Sequence, residues 1–526
     1  MKKFLNWLKN NWLFLLVVII GGLLRFYRLQ DLATFGGDQG VDYQNVARMI
    51  AERKLSLLGP ITHVGIFLGP LYYYLLIPFF LIFNFDPIAA PVMFALFGTA
   101  TVGLVYILAI KFFSFIHHPS SRRAESLGGA IIHHYQEFAF LTALFYAVSP
   151  VILESSRAPS QPHLIPFFAT LLLISIFRIV EKTDKWWDWV GLGIASGSLI
   201  QLHFLTFPIY IFFLIILSLV VAAKRIQISL FPVSCFLFSV LLLFPWLLFE
   251  LRHNFFITNQ VIAYLRSGEV SFSPANYFER VLDLIWFSFD RLIGQGNQAI
   301  TIIAIILSLT GIISNKVTPC RTLRCNLLSP TGIIVFYFLI NILGIALYKF
   351  PLSNHYISAL YTVIILFFSL GIVKILPKSL SFIVFIMFIT FISSQNNLDS
   401  NHGYTMPEWV NASLIEKAAN IISSDIKNRP GTYNVVNTLD GDTRANPYRY
   451  VLTYRNKVPP LGVEKYSEAD YLYIVSRGAR NELLEDKRWE LLSFPVGNIE
   501  SLGTIGGDIK LYRWDNGRAD RKDLMK

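Results

Sequence analysis

Two carboxylates stand beside three glycines in the polar segment 28–65, which separates the first two hydrophobic stretches. The run over residues 36–43 reads Gly-Gly-Asp-Gln-Gly-Val-Asp-Tyr, with Asp38 and Asp42 as its acids. Glycine permits sharp turns and lets a ligand approach the backbone closely. A carboxylate in such a place can act as a general base that removes a proton from a hydroxyl group. We therefore take Asp38 as the candidate catalytic residue.

The same carboxylate also has a structural interpretation. Acidic residues beside glycines in loops commonly cap helices or stabilise turns. From Val41 to Glu52 the apolar residues recur at helical spacing, which predicts a helix too short and too polar to cross a bilayer. Such a helix should lie along the membrane surface. Asp38 would then lie near its N-terminus, where the helix dipole favours a negative charge.

The rest of the chain is more apolar than a soluble protein. Of its 526 residues 54% are hydrophobic, and the mean hydropathy is +0.52. Most of the apolar runs approach the ~20 residues that cross a bilayer. They lie near 11–27, 66–83, 88–113, 137–153, 164–180, 188–202, 206–223, 228–249, 298–314, 331–348, 357–373 and 379–394. The sequence predicts an all-α polytopic membrane protein.

The net charge of +11 does not indicate nucleic-acid binding, because its distribution follows the membrane topology. Residues 394–526 carry 18 basic and 18 acidic side chains, so the whole surplus precedes them, clustered in short connectors. Such clusters mark cytoplasmic loops. The alternation then places 28–65, 250–297 and everything after 394 on the outer side. It also requires 66–83, interrupted at Gly69-Pro70, to be a re-entrant or interfacial hairpin covered by protein.

Composition changes near residue 394, which divides the chain into a membrane domain (1–394) and a C-terminal domain (395–526). Leu414–Ile426 has the pattern of an amphipathic helix. Tyr433–Val436 and Tyr471–Val475 are short apolar runs between polar residues, typical of buried strands. We expect a small α/β domain on the extracytoplasmic side.

The segments around the first loop resemble a known family. Gly-Asp-Gln-Gly-Val-Asp at 37–42, Gly59-Pro60 and the run Gly-Pro-Leu-Tyr-Tyr-Tyr at 69–74 are similar to the first outer loop of polyprenyl-phosphate-sugar-dependent glycosyltransferases of family 39. That group includes aminoarabinose transferases and protein O-mannosyltransferases. The resemblance implies a C-type glycosyltransferase fold with about 11–13 transmembrane helices, juxtamembrane helices in loop one and a catalytic aspartate at Asp38. Gln39 departs from the acidic residue that many relatives have there.

The resemblance and the outer loops together give the candidate site. Substrate or lipid phosphate would contact polar and aromatic side chains, namely Gln39, Asp42, Tyr43, His63, Tyr73, Arg157, Gln201, Arg252 and His253. His203 is the candidate ligand of a divalent metal ion, which the sequence leaves open as a cofactor. Each has a plainer interpretation: an arginine near a helix end can anchor to lipid headgroups, and His203 can hydrogen-bond across helices.

These features predict a glycosyltransferase of the cell membrane that moves a sugar from a polyprenyl-phosphate carrier to a hydroxyl group of a lipid, a glycan or a protein. Asp38 would act as the general base, and a single displacement would invert the anomeric centre. The alternative is a flippase for lipid-linked sugars or a secondary transporter without transferase activity. A transporter more often places ionisable residues within its spans and shows two related halves. Here the ionisable residues cluster in loops on one face.

Overall fold

The computed structural model describes most of the chain. The described residues are 11–32, 34–62, 64–117, 129–181, 185–222, 230–266, 274–314, 327–348, 351–396, 411–429, 431–495 and 497–516. His63 and most of the basic connectors lie outside these ranges.

Helices dominate the chain, and four strands lie in its C-terminal part. The helices are α1 (Trp12–Phe26), α2 (Gly37–Glu52), α3 (Leu71–Ile82), α4 (Ala89–His117), α5 (Gly129–Val148), α6 (Pro150–Ser155), α7 (Ile165–Val180), α8 (Trp186–Leu202), α9 (Phe207–Ala222), α10 (Leu230–Arg252), α11 (Phe256–Arg266), α12 (Pro274–Phe289), α13 (Gln298–Ser314), α14 (Pro330–Ala346), α15 (Tyr361–Ile375), α16 (Lys378–Ser394), α17 (Ala412–Asn428), α18 (Asn446–Tyr450), α19 (Arg480–Glu485) and α20 (Trp489–Leu492). The strands are β1 (Tyr433–Asn437), β2 (Tyr471–Ser476), β3 (Asn498–Gly506) and β4 (Ile509–Asp515).

Within the described ranges, six helices are long and apolar enough to cross a membrane. A bent pair, Asn276–Gly294 with Gln298–Ser314, raises the number to seven if it counts as one span. The predicted class, a multi-pass helical membrane protein with a small C-terminal α/β part, is confirmed. With 12 residues, α3 is too short to cross alone, in keeping with the hairpin expected at 66–83. The expected outer loop 250–297 contains two helices, α11 and α12, that the sequence analysis did not predict.

The chain forms two compact units, and each unit consists of three separate segments of the sequence. A single boundary near residue 394 does not describe this division. The helical unit comprises Met1–Tyr27, Ser56–Tyr72 and Phe94–Gly403. The loop-and-sheet unit comprises Arg28–Leu55, Tyr73–Met93 and Tyr404–Lys526.

Small residues allow close helix packing within the helical unit. Gly311 of α13 and Gly371 of α15 meet back to back, since a Cβ on residue 311 would lie 2.5 Å from the Gly371 Cα. Between α8 and α10, the hydroxyls of Ser196 and Ser239 lie 2.9 Å apart. Small side chains of this kind let helices approach in a lipid environment and supply hydrogen bonds between them. The central helix α15 is buried over residues 361–372.

The loop-and-sheet unit contains a four-stranded sheet in the order β1-β2-β4-β3. β1 and β2 are parallel, starting with Tyr433 opposite Tyr471, and the other neighbours are antiparallel. Both parallel strands are entirely buried, as their apolar runs predict. The helix expected at Leu414–Ile426 forms as α17, where Asn411 Oδ1 accepts a hydrogen bond from the Ser413 N–H at 2.8 Å.

Candidate functional site

Asp38 lies in the first turn of α2, and its side chain is exposed. Gly36 precedes the helix in extended backbone, and its N–H donates to Gln39 Oε1 at 2.9 Å. Gln39 thus satisfies one of the N–H groups that a helix start leaves free. The helix predicted from Val41 to Glu52 forms and begins one turn earlier. A carboxylate in this turn interacts favourably with the helix dipole. Because the side chain of Asp38 is exposed, a ligand can reach it.

Two glycines of this run are required by the close approach of the C-terminal segment. A Cβ on residue 40 would lie 2.5 Å from the Pro447 nitrogen, and one on residue 37 would lie 2.7 Å from the Asp442 Cβ. No larger residue fits at either position without moving the neighbouring chain. The expectation that these glycines admit a ligand is therefore wrong for Gly37 and Gly40, because part of the same chain fills the space.

Asp42 follows Asp38 by one helical turn and is buried, with 8% of its surface exposed. The Tyr73 hydroxyl donates to Asp42 Oδ1 at 2.8 Å. Asn45 Nδ2 donates to the Tyr73 oxygen at 3.3 Å, and Arg48 Nη2 donates to Asn45 Oδ1 at 2.8 Å. Burial raises the pKa of Asp42 to about 7, although the Tyr73 hydrogen bond opposes this rise. The structure therefore brings together two predicted site residues, Asp42 and Tyr73.

Tyr43 is completely buried in an aromatic cluster. Its ring stacks on Phe35 with centroids 4.9 Å apart and meets Phe80 and Tyr450 edge-on at 5.1 and 5.6 Å. Such pairs add to the stability gained from burying the rings. The structure therefore gives Tyr43, a residue of α2, a role in packing in place of the predicted substrate contact.

Arg157, in the helical unit, is fully buried. Its Nη2 donates to the Tyr27 carbonyl oxygen at 2.6 Å and its Nη1 to that of Leu24 at 3.4 Å, so it satisfies carbonyls at the end of α1. Burial lowers the pKa of Arg157 to about 10, which leaves it charged at neutral pH. The prediction that it contacts a lipid phosphate does not fit a guanidinium enclosed in this way. Arg25, which the sequence analysis missed, is also fully buried and donates to the Gly21 carbonyl at 3.0 Å.

Glu154 is a second residue that the sequence analysis did not include in the site. It lies in α6, beyond the end of α5. Burial raises the pKa of Glu154 to about 8, and the positive charge of Arg291 partly opposes the rise. Such a carboxyl group is mostly neutral at pH 7. Its place beside Ser155, Ser156 and Arg157 in a polar loop was the available signal.

Gln201 is committed to structural hydrogen bonds. Its Nε2 donates to the carbonyls of Gly197 at 3.1 Å and Leu242 at 3.0 Å, and its Oε1 accepts from the Leu71 N–H at 3.3 Å. The side chain also lies against Gly69, where a Cβ would collide with it. These contacts fix the Gly69–Leu71 turn to α8 and α10, so the structure assigns Gln201 to support instead of substrate binding.

His203 ends α8 and is buried. Its Nδ1 accepts from the Leu205 N–H at 3.2 Å, and its ring stacks on Phe204 with centroids 4.6 Å apart. The centroid of the His355 ring lies 5.7 Å from that of the His203 ring. In the part of the chain that the structure describes, no group of three His, Cys, Asp or Glu side chains could hold a metal ion. A zinc ion takes three or more protein ligands, and the described residues around His203 do not provide such a set.

The end of α10 presents Arg252 and His253, both exposed. The His253 ring stacks on Phe249 with centroids 4.0 Å apart, and its Nδ1 lies 2.9 Å from the Phe249 carbonyl oxygen. This contact orients the imidazole and leaves Nε2 available. Arg252 and His253 are consecutive exposed residues at a helix end, and each side chain can donate hydrogen bonds to an anion. His63 lies outside the described residues.

The fold of this chain, helices with a small C-terminal sheet, is similar to that of two solved structures. The crystal structure of ArnT from Cupriavidus metallidurans bound to undecaprenyl phosphate is similar, with a TM-score of 0.58, 12% identity and coverage of 95% of this chain and 97% of that one. ArnT in the apo state gives 0.57 and 11% identity over 96% and 98%. No protein-family model and no curated protein matches the sequence. At such identities the similarity shows the fold, which confirms the expectation from the first loop.

Proposed function

We propose that this protein is a membrane glycosyltransferase that transfers a sugar from a polyprenyl phosphate to an acceptor hydroxyl group. The observation that carries the proposal is an exposed carboxylate, Asp38, in the first turn of the loop-one helix, in a chain with the fold of an enzyme crystallised with undecaprenyl phosphate. The acceptor is a lipid, a glycan or a protein. We place the reaction on the extracytoplasmic face, where the charge distribution locates loop one.

The reaction is one displacement at the anomeric carbon. Asp38 accepts the proton of the acceptor hydroxyl as the acceptor oxygen forms its bond to that carbon. The bond from the carbon to the phosphate oxygen breaks, and polyprenyl phosphate leaves with the electron pair. Because the acceptor enters opposite the leaving group, the anomeric configuration inverts. Asp38 is exposed and then returns its proton to water.

The phosphate needs a cationic partner as its negative charge grows. We assign this role to Arg252 and His253, because both are exposed whereas Arg157 is enclosed. A guanidinium binds phosphate oxygens in a bidentate geometry, and the imidazole of His253 adds one further N–H donor. No step of this mechanism passes through a metal ion.

The test compares D38N with wild type in cells that lack the gene. The surface glycans of cells that express wild type should differ in mass from those of cells that lack the gene. The glycans of cells that express D38N should not differ, because an amide cannot accept the hydroxyl proton. Native mass spectrometry of the purified proteins should show both binding undecaprenyl phosphate. D31N is the matched control, since Asp31 is an exposed carboxylate of the same segment whose partner is Arg28 at 3.4 Å.

Glycans restored equally by D38N would remove Asp38 from the mechanism. Wild type that binds undecaprenyl phosphate but changes no glycan would instead favour a transporter of lipid-linked sugars. A loss of undecaprenyl phosphate binding in R252Q, with D38N still binding, would support the phosphate assignment.

A further inference from the structure

The two carboxylates of α2 differ sharply in their surroundings. Asp38 and Asp42 are four residues apart, so their side chains neighbour each other on the same helix face. Asp38 is exposed, whereas Asp42 is 8% exposed and accepts the Tyr73 hydroxyl at 2.8 Å. Two anions at this spacing repel each other, so the charge of one affects the proton affinity of the other.

The hydrogen bonds around Asp42 run in one direction. Arg48 donates to Asn45, Asn45 donates to the Tyr73 oxygen, and Tyr73 donates to Asp42. Because the Tyr73 oxygen receives the Asn45 N–H, its own proton is free to point at Asp42. The chain of donors thus leads from an exposed guanidinium to a buried carboxylate and favours the ionised form of Asp42.

Among the described residues, the other charged and titratable groups near Asp42 come from α2, α3 and the C-terminal segment. On α2 they are Asp38, whose charge raises the pKa of Asp42, and the buried phenol of Tyr43. From α3 comes Tyr73, whose hydrogen bond lowers that pKa. From the C-terminal segment Asp442 lies against Gly37, with its carboxylate bound by the Asn446 N–H at 2.8 Å. Burial outweighs the hydrogen bond and brings the pKa of Asp42 to about 7, within the range where cells operate.

We propose that Asp42 is a positioning residue for the transfer reaction, which carries a negative charge stabilised by Tyr73 and thereby strengthens Asp38 as a base. The inference rests on the proposed function. When Asp42 is ionised, its negative charge lies one helical turn from Asp38 and favours the step in which the acceptor proton moves to Asp38. When Asp42 is protonated, this assistance is lost. The transfer rate should therefore rise with pH as Asp42 loses its proton.

The experiment measures the pH dependence of kcat/KM for the purified full-length protein. The probes are undecaprenyl-phosphate hexoses and pentoses labelled in the sugar, with cell-envelope extract as the acceptor. Wild type should show a rise centred near pH 7. D42N should lose this rise and transfer about 3- to 10-fold more slowly at pH 8, a small part of the ~10²–10⁴ that a general base contributes. Y73F should move the rise to higher pH, and D31N should match wild type.

Infrared spectroscopy gives a second readout that does not depend on transfer. In wild type one component of the carbonyl band of protonated carboxyl groups should disappear near pH 7. This component should disappear at higher pH in Y73F and be absent in D42N, whereas the component of Glu154 should remain in all three. Transfer by wild type together with an unchanged pH profile in D42N would overturn the role of Asp42 while leaving the proposed function intact. No transfer from any probe would overturn both. D38N without activity beside an active D42N that lacks the rise near pH 7 would support both.

Discussion

Replacing Asp42 with asparagine should change how the stability of the protein depends on pH. Asp42 is buried, and burial raises its pKa from 3.8 to about 7. Below pH 7 the neutral acid is therefore the favoured form in the folded protein. Asparagine has nearly the same shape and keeps an oxygen that can accept the Tyr73 hydroxyl, so the substitution removes the ionisation with little change in packing.

The magnitude follows from the difference between folded and unfolded pKa values. A difference of about three pH units at ~1.36 kcal/mol per unit is an upper limit of about 4 kcal/mol. Because the folded pKa is the higher one, this stabilising contribution is complete below the unfolded pKa and is lost as pH rises toward 7. Between pH 5 and pH 8 the wild-type protein should lose roughly 2–3 kcal/mol relative to D42N.

The assay is thermal unfolding of wild type, D42N and D31N in the same detergent at pH 5, 6, 7 and 8. The Tm of wild type should fall relative to that of D42N as pH rises, and most of the change should occur below pH 7. D31N should follow wild type, because Asp31 is exposed. Parallel curves for wild type and D42N would refute the reasoning, since they would mean that Asp42 ionises with the same pKa in the folded and unfolded chain.

Three further substitutions, one of them with a matched control, test closely packed and buried positions. G40A should lower Tm markedly because its Cβ would lie 2.5 Å from the Pro447 nitrogen, whereas G441A, with no atom within 4 Å of its Cβ, should be tolerated. Q201L should destabilise the protein by about 2–4 kcal/mol, as three buried backbone partners lose their hydrogen bonds, and denaturant unfolding measures this. E154Q should raise Tm relative to wild type progressively as pH increases from 5 to 8, with little further change at pH 9, because the pKa of Glu154 is raised from 4.5 to about 8 and the stabilising neutral form is lost over this range.

The elements with strong periodicity could be predicted from the sequence. The amphipathic pattern gave the helix of loop one and α17, and the short apolar runs gave β1 and β2, each within a few residues of the observed bounds. The sequence analysis did not predict the helices α11 and α12, because they are amphipathic and lie in a segment without a continuous apolar run. A search for spans alone does not detect such helices.

The roles of individual polar residues were harder to predict. Residue type indicates what a side chain can bind, but the partner it finds depends on residues far away in the sequence. Gln201 and Arg157 carry donors suited to a substrate, yet both satisfy backbone carbonyls, some of them more than 100 residues distant. Asp42 shows a different case, because burial raises its pKa while the hydrogen bond from a tyrosine 31 residues later opposes the rise. Only the fold brings these groups together.

The position of Asp38 depends on the C-terminal segment as much as on loop one. Within the loop-and-sheet unit, α2 packs on α18, and Gln44 Nε2 donates to the Asn446 carbonyl oxygen at 3.2 Å and to its Oδ1 at 3.1 Å. Tyr450 also packs edge-on against Tyr43 in the aromatic cluster. A helix as polar as α2 gains little from its own sequence, since short helices are marginal in water without tertiary packing. The C-terminal segment therefore supplies the surface that holds the helix bearing Asp38, which explains why glycine is required at 37 and 40.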